Sequence, residues 1–259
     1  MTSVLNAWTW VATVLLVIVG FLAVTLVFLV TAPFDPGRYA AGRAFRLLGV
    51  AQVKINPFWK FRTSGVRVHD PRRPYVAVAN HESYADIFLI SHLPWEMKWL
   101  SKDTIFRIPV MGWMMSMAGD VRLTRGDRSS AVQAIAACRD RLAKRVSVMI
   151  FPEGTRSRDG ELLPFKDGAF RLAVEAGVPI LPIAVAGTRH AMAKGSFRFR
   201  RAEAICHVLE PIPTEGLSMA DVPALRDRVR AMLVETRHRL ERELGLPSTT
   251  VPVAAAVAD

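Results

Sequence analysis

The most pronounced feature of the hydrophobic pattern lies at the start. From Ala7 to Ala32 the chain reads AWTWVATVLLVIVGFLAVTLVFLVTA. That run exceeds the roughly 20 apolar residues a spanning helix requires. Trp8 and Trp10 stand at one end as interfacial anchors, and Pro33 and Pro36 stop the helix at the other. No Lys or Arg precedes the run, and its length exceeds a secretory h-region, so a retained membrane helix is preferred to a cleaved signal. Beyond residue 65, short β-rich runs alternate with helix-period segments. Strands are predicted over Val66–His69, Tyr75–Ala79, Lys98–Lys102, Val121–Thr124, Val146–Phe151, Ile180–Ala186 and Ala204–Leu209. Helices are predicted over Tyr84–His92, Val110–Ala118, Ser130–Lys144, Gly168–Ala176 and Ala220–Leu244.

This alternation predicts an α/β domain with a largely parallel central sheet flanked by helices, preceded by the membrane helix. Two final strands without a helix between them leave room for a reversed direction there. Four segments follow: an anchor (1–34), a basic membrane-proximal linker or interfacial helix (35–64), the catalytic domain (65–246) and a flexible tail (247–259).

Charge sharpens the picture. The 259 residues carry a formal net charge of +11, yet the first 34 residues carry no charged side chain. Between Asp35 and Arg62 lie six basic residues (Arg38, Arg43, Arg46, Lys54, Lys60 and Arg62) and one acidic residue. The positive-inside rule therefore puts the domain on the cytoplasmic side of the cell's inner membrane, behind a single-pass helix. The stretch Tyr39–Phe61, basic and aromatic, fits either an anionic membrane surface or a helix packed on the domain. No helix-turn-helix, RNA-recognition or zinc-finger pattern is present, so the excess charge does not point to nucleic acid. Cys138 and Cys206 are the only cysteines and form no CxxC; the histidines show no ligand spacing, so no metal is expected.

Two constellations carry chemistry. After the strand YVAVA comes Asn80-His81-Glu82-Ser83-Tyr84-Ala85-Asp86. Ser83 and Asp86 have capping-box spacing, which bends the Asp86 carboxylate back toward the turn holding His81. A carboxylate on one ring nitrogen fixes the tautomer and leaves the other as general base. The bland alternative is a simple cap beside a polar turn histidine. After the strand VSVMI comes Phe151-Pro152-Glu153-Gly154-Thr155-Arg156-Ser157, a turn at a strand end, where α/β sheets bind ligands. Arg156 suits a phosphate. Lys102 and Arg125 close two further strands and bring more cations to that edge.

In order and spacing, NHESYAD, the block IPVMG through Arg125, FPEGTRS and VPILPI resemble the NHxxxxD glycerolipid acyltransferases, typified by 1-acyl-sn-glycerol-3-phosphate acyltransferase. The resemblance spans roughly residues 75 to 190. It implies His81 as base, oriented by Asp86, transferring a fatty acyl group from acyl-CoA or acyl carrier protein to a lysophospholipid hydroxyl. It implies a phosphate site from Lys102, Arg125 and Arg156, with Glu153, Gly154 and Thr155 completing the acceptor site. Glu153 would bond the glycerol or orient Arg156. No cofactor beyond the acyl carrier is implied. Other lysophospholipids, lyso-ornithine lipid or glycerol 3-phosphate remain alternative acceptors, and a catalytically silent membrane scaffold is the rival of another class. The Met-rich run Met111–Met117 reads first as a core helix and second as an acyl groove. The arginines of the last helix read as a solvated face.

Overall fold

A computed structural model of the chain describes residues 2–157, 161–192 and 198–247. The tail expected from 247 onward lies, but for its first residue, outside them. The elements are α1 (Thr2–Thr31), α2 (Tyr39–Ile55), β1 (Trp59–Gly65), β2 (Val76–Ala79), α3 (Ala85–Ile90), β3 (Met97–Lys102), α4 (Asp103–Phe106), α5 (Met111–Ala118), β4 (Val121–Leu123), α6 (Arg128–Ala143), β5 (Ser147–Ile150), α7 (Gly168–Ala176), β6 (Ile180–Ala186), β7 (Ala202–Val208) and α8 (Val222–Glu243).

The strands form one sheet in the order β1-β7-β6-β2-β5-β3-β4, parallel throughout except at β6–β7. The central strands β2, β5 and β6 are buried along their whole length, as continuous apolar runs in a parallel sheet must be. Period-2 alternation divides β2 between two cores. Val76 and Val78 face the layer holding α6, α7 and α8, whereas Ala77 and Ala79 face Leu89 and Ile90 of α3.

The first strand differs from expectation. It runs over Trp59–Gly65 rather than Val66–His69, so the sheet begins inside the segment read as a linker. Lys60, Arg62 and Ser64 give this edge strand a polar, exposed face, which hides it from an apolar pattern. Its other face carries Trp59 and Phe61, stacked at 5.0 Å. Gly65 (φ 93°) ends it where a Cβ would fall 2.1 Å from the Val208 carbonyl oxygen. Met114 and Met115 of α5 are buried, as the core reading of that helix expects, while Trp113 is exposed.

Of the two readings left open for Tyr39–Phe61, the residues 39–55 form a helix packed on the domain. Arg46 of α2 reaches through the interface, pairs with Asp120, and lies 3.8 Å from Glu96. Glu96 in turn lies 3.0 Å from Lys98, which donates to the Arg38 carbonyl at 2.7 Å. All four charged side chains are buried. Burial pushes Glu96 up and Lys98 down, each toward neutrality, and their mutual pairing opposes both shifts. Gly42 lets α2 lie on this cluster, since a Cβ there would fall 2.1 Å from the Glu96 carboxylate.

Helix α1 lies along α2, touching it where Gly20 meets Leu48 and where Gln52 donates to Thr13 at 2.9 Å. Both its ends engage the domain. Asn6 exchanges hydrogen bonds with the Phe199 backbone at 3.3 and 2.8 Å, and the Arg38 guanidinium covers Phe28 at 4.6 Å. Ser3–Thr31 is long and apolar enough to cross a membrane, and its outer face, from Val4 to Val30, is exposed.

Removing one member of a buried ion cluster strands its partner without solvent. Asp120→Ala is expected to cost about 3–5 kcal/mol by taking the nearer carboxylate from the buried Arg46 guanidinium and leaving it only the more distant Glu96. Denaturant unfolding of the detergent-solubilised chain measures this, and a midpoint within error of wild type would show the pairing to be inert.

Candidate active site

β2 is followed by Asn80, whose side chain clasps the neighbouring strand by donating to the Val185 carbonyl (2.9 Å) and accepting from the Val185 N–H (2.8 Å). This anchors the turn that follows. Asp86, on the first turn of α3 and fully buried, bends back as the spacing predicts. Its Oδ2 accepts the His81 Nδ1 at 2.8 Å and the backbone N–H groups of Glu82 and Ser83 at 2.8 and 3.0 Å. The cap itself differs slightly: Ser83 Oγ accepts from Ala85 N at 3.2 Å, and the helix starts at Ala85. Three donors converge on this one oxygen, and the contact with the carboxylate assigns the ring proton of His81 to Nδ1. The imidazole lies flat on Phe151, ring centroids 4.0 Å apart and 16° from parallel. Among the described residues its Nε2 has no hydrogen-bond partner, so that nitrogen is free to accept a proton.

β5 is hydrogen-bonded beside β2, so its following turn arrives at the same place. The two motifs join through the backbone of His81: its N–H donates to Glu153 Oε1 at 2.8 Å, and its carbonyl accepts from Ser157 N–H at 3.2 Å. Glu153 Oε2 takes the Leu163 N–H at 3.0 Å. Both oxygens of Glu153 thus turn inward. It braces the two turns, and among the described residues it makes no hydrogen bond or ion pair to Arg156. Burial, only partly offset by those two N–H bonds, pushes its carboxyl up to about 7. Gly154 (φ 70°) brings the turn under the Lys166 ammonium, 3.0 Å from where a Cβ would stand. The Arg156 guanidinium covers the Tyr84 ring at 3.9 Å, and Thr155 is exposed.

The structure therefore brings His81, Asp86, Glu153, Gly154 and Arg156 together. Lys102 and Arg125 are exposed on the same sheet edge but end β3 and follow β4, two and three strands from β2. At about 4.8 Å per strand they stand roughly 10 and 15 Å along the row. Among the described residues no hydrogen bond or ion pair engages either. No cluster of His, Cys, Asp and Glu among the described residues is arranged to hold a metal.

Several residues of this centre escaped the sequence reading. Phe151, part of the motif but given no role of its own, stacks on His81, and Lys166 lies beside the Gly154 turn. Thr188, just beyond β6, bonds Asp86 Oδ1, and strand-end position was the available signal. Arg237, read as part of a solvated face, is 1% exposed. It falls in register with Val229, Leu233 and Leu240 on the buried face of α8, a helical period that was readable.

The chain belongs to the acyltransferase family, whose model matches residues 60–186, and both the histidine–carboxylate pair and the FPEGTR turn bonded to it lie inside that match. Among its relatives is a chloroplastic 1-acyl-sn-glycerol-3-phosphate acyltransferase of Brassica napus, 45% identical over 147 residues, which are 56% of this chain and 43% of that one. An uncharacterized acyltransferase of Schizosaccharomyces pombe is 35% identical over 72% of this chain and 67% of its own length. The crystal structure of the 1-acyl-sn-glycerophosphate acyltransferase from Thermotoga maritima superposes with a TM-score of 0.74 at 26% identity, covering 96% of this chain and 98% of that one. The chain spans under half the length of the plant relative.

Glu153→Gln preserves volume but replaces one acceptor by a donor, so either the His81 or the Leu163 N–H loses its partner. The expected cost is about 1–3 kcal/mol. Faster amide hydrogen exchange at one of these two residues checks it, and unchanged protection at both would contradict the bracing role.

Proposed function

We propose that the chain is an O-acyltransferase that moves a fatty acyl group from acyl-CoA or acyl carrier protein to the sn-2 hydroxyl of 1-acyl-glycerol 3-phosphate, giving phosphatidic acid. The carrying observation is the His81–Asp86 pair, with Nδ1 committed to the carboxylate and Nε2 open, one turn from Arg156. The names of the relatives support the acceptor and the reaction.

The substrate hydroxyl gives its proton to His81 Nε2 as its oxygen attacks the thioester carbonyl. Asp86 stabilises the imidazolium. The tetrahedral intermediate then expels the thiol, the C–S bond breaks, and His81 returns the proton to sulfur. The flat stack on Phe151 keeps the ring from turning away from the attacking oxygen, which preserves the reacting geometry. Arg156, with Lys166 beside the Gly154 turn, supplies positive charge for the acceptor phosphate. Lys102 and Arg125 extend that field along the sheet edge for the acceptor or the anionic donor carrier. The reaction needs no metal and no cofactor besides the carrier.

Membrane association follows from the apolar α1. In this reading the catalytic domain works on the cytoplasmic face of the inner membrane, against anionic headgroups. Contacts at both ends of α1 keep it alongside the domain. That supports immersion of α1, with the exposed Trp113 against Phe21, in the leaflet facing the domain rather than a single-pass crossing that carries its N-terminus to the far side.

Purified protein in mixed micelles, given lysophosphatidic acid with acyl-CoA or acyl carrier protein donors, is expected to form phosphatidic acid. His81→Ala should lower turnover by about 10³-fold or more while the fold persists. Arg156→Ala should raise the acceptor KM by about tenfold or more. Near-normal turnover in the histidine variant would refute the base, and transfer only to other lysolipids would refute the acceptor.

A further inference from the structure

We propose that Thr188 is a positioning residue of this reaction, its hydroxyl pinning the second oxygen of Asp86 and being backed in turn by the carboxyl of Glu82. The proposal rests on reading His81 and Asp86 as the base pair of acyl transfer.

Asp86 Oδ2 takes three donors from its own turn, all within five residues of chain. Those bonds alone hold one oxygen and leave the carboxylate plane free to swing about it. Among the described residues Oδ1 has one hydrogen-bond partner, the hydroxyl of Thr188, from a different strand end. Thr188 is fully buried and opens the short 3-10 turn Thr188–His190 after β6. The turn cannot slide, because Gly187 (φ 92°) presses its backbone to within 2.2 Å, measured from the place of a Cβ, of the Glu203 carbonyl oxygen. The second pin is therefore tied to the sheet and not to the loop that carries the histidine.

The Thr188 hydroxyl has a single hydrogen. Donating it to Asp86 turns an oxygen lone pair toward Glu82 Oε2, 3.4 Å away. That approach is favourable when Glu82 itself carries a proton to donate. The charged groups facing Glu82 are Asp86 from α3, Arg237 and Glu241 from α8, and Arg189 from the short turn. Burial is the largest influence, followed by Asp86. Together with Glu241 they outweigh the two arginines and push Glu82 up to about 8. At neutral pH the donors then run in one sense, Glu82 to Thr188 to Asp86, and His81 meets the carboxylate from the other side. Bonds so aligned reinforce one another. Above about pH 8 the Glu82 anion competes for the same hydroxyl proton and withdraws the pin.

Three full-length variants test this in the lysophosphatidic acid assay across pH 6–9.5. Thr188→Val keeps shape and loses the hydroxyl; kcat should fall about 10- to 100-fold with both KM values nearly unchanged. Thr188→Ser should restore most of that loss. Glu82→Gln, which stays neutral at every pH, should raise the ratio of activity at pH 9 to that at pH 7 about threefold or more over wild type. Wild-type kcat and pH profile in Thr188→Val, or equal loss in Thr188→Ser, would overturn the proposal. So would a Glu82→Gln enzyme that declines with alkali as wild type does, and this arm decides the matter if the valine variant does not fold. A wild-type protein with no acyl transfer would instead count against the proposed function.

Discussion

The catalytic end of the molecule depends on one buried anion. Asp86 lies where water cannot screen it, so its charge must be met entirely by fixed donors, and those donors come from the histidine, from two backbone amides and from a neighbouring strand end. Satisfying it organises the turn around it. The imidazole is given its tautomer, α3 is given its start, and the strand ends of β2 and β6 are drawn together, a junction doubled by Asn80 on Val185. Removing the carboxylate would leave several donors facing nothing.

Sheet order supplies the remainder. Because β5 neighbours β2 directly, the FPEGTR turn can bond the histidine's own N–H and carbonyl, fusing two motifs that are far apart in the chain into one rigid unit. The same order spreads the cations. Arg156 stands beside the histidine–carboxylate pair, while Lys102 and Arg125 follow at successive strand spacings. Beside α3, α2 is locked by the cluster of Arg46, Glu96, Lys98 and Asp120. Through α2 the apolar α1 is held in fixed relation to the strand ends that carry His81 and Arg156.

The sequence by itself determined the class of fold and the heart of the site. Alternating apolar strands and helix-period segments were strong enough to mark six of the seven strands, three of which, β2, β5 and β6, are apolar runs buried along their whole length. Local spacing sufficed for His81 and Asp86, five residues apart, since a helix start leaves a bent-back carboxylate few other places to go. Only the tertiary structure decided the rest. It alone could show that β1 is an edge strand, because its polar face carries no apolar signal and its partner β7 is remote in the chain. It alone turned Glu153 inward, placed Thr188 on Asp86 and buried Arg237. Those outcomes depend on which strand ends become neighbours, and neighbourhood in a sheet is fixed by the packing of helices on both its faces, not by distance along the chain.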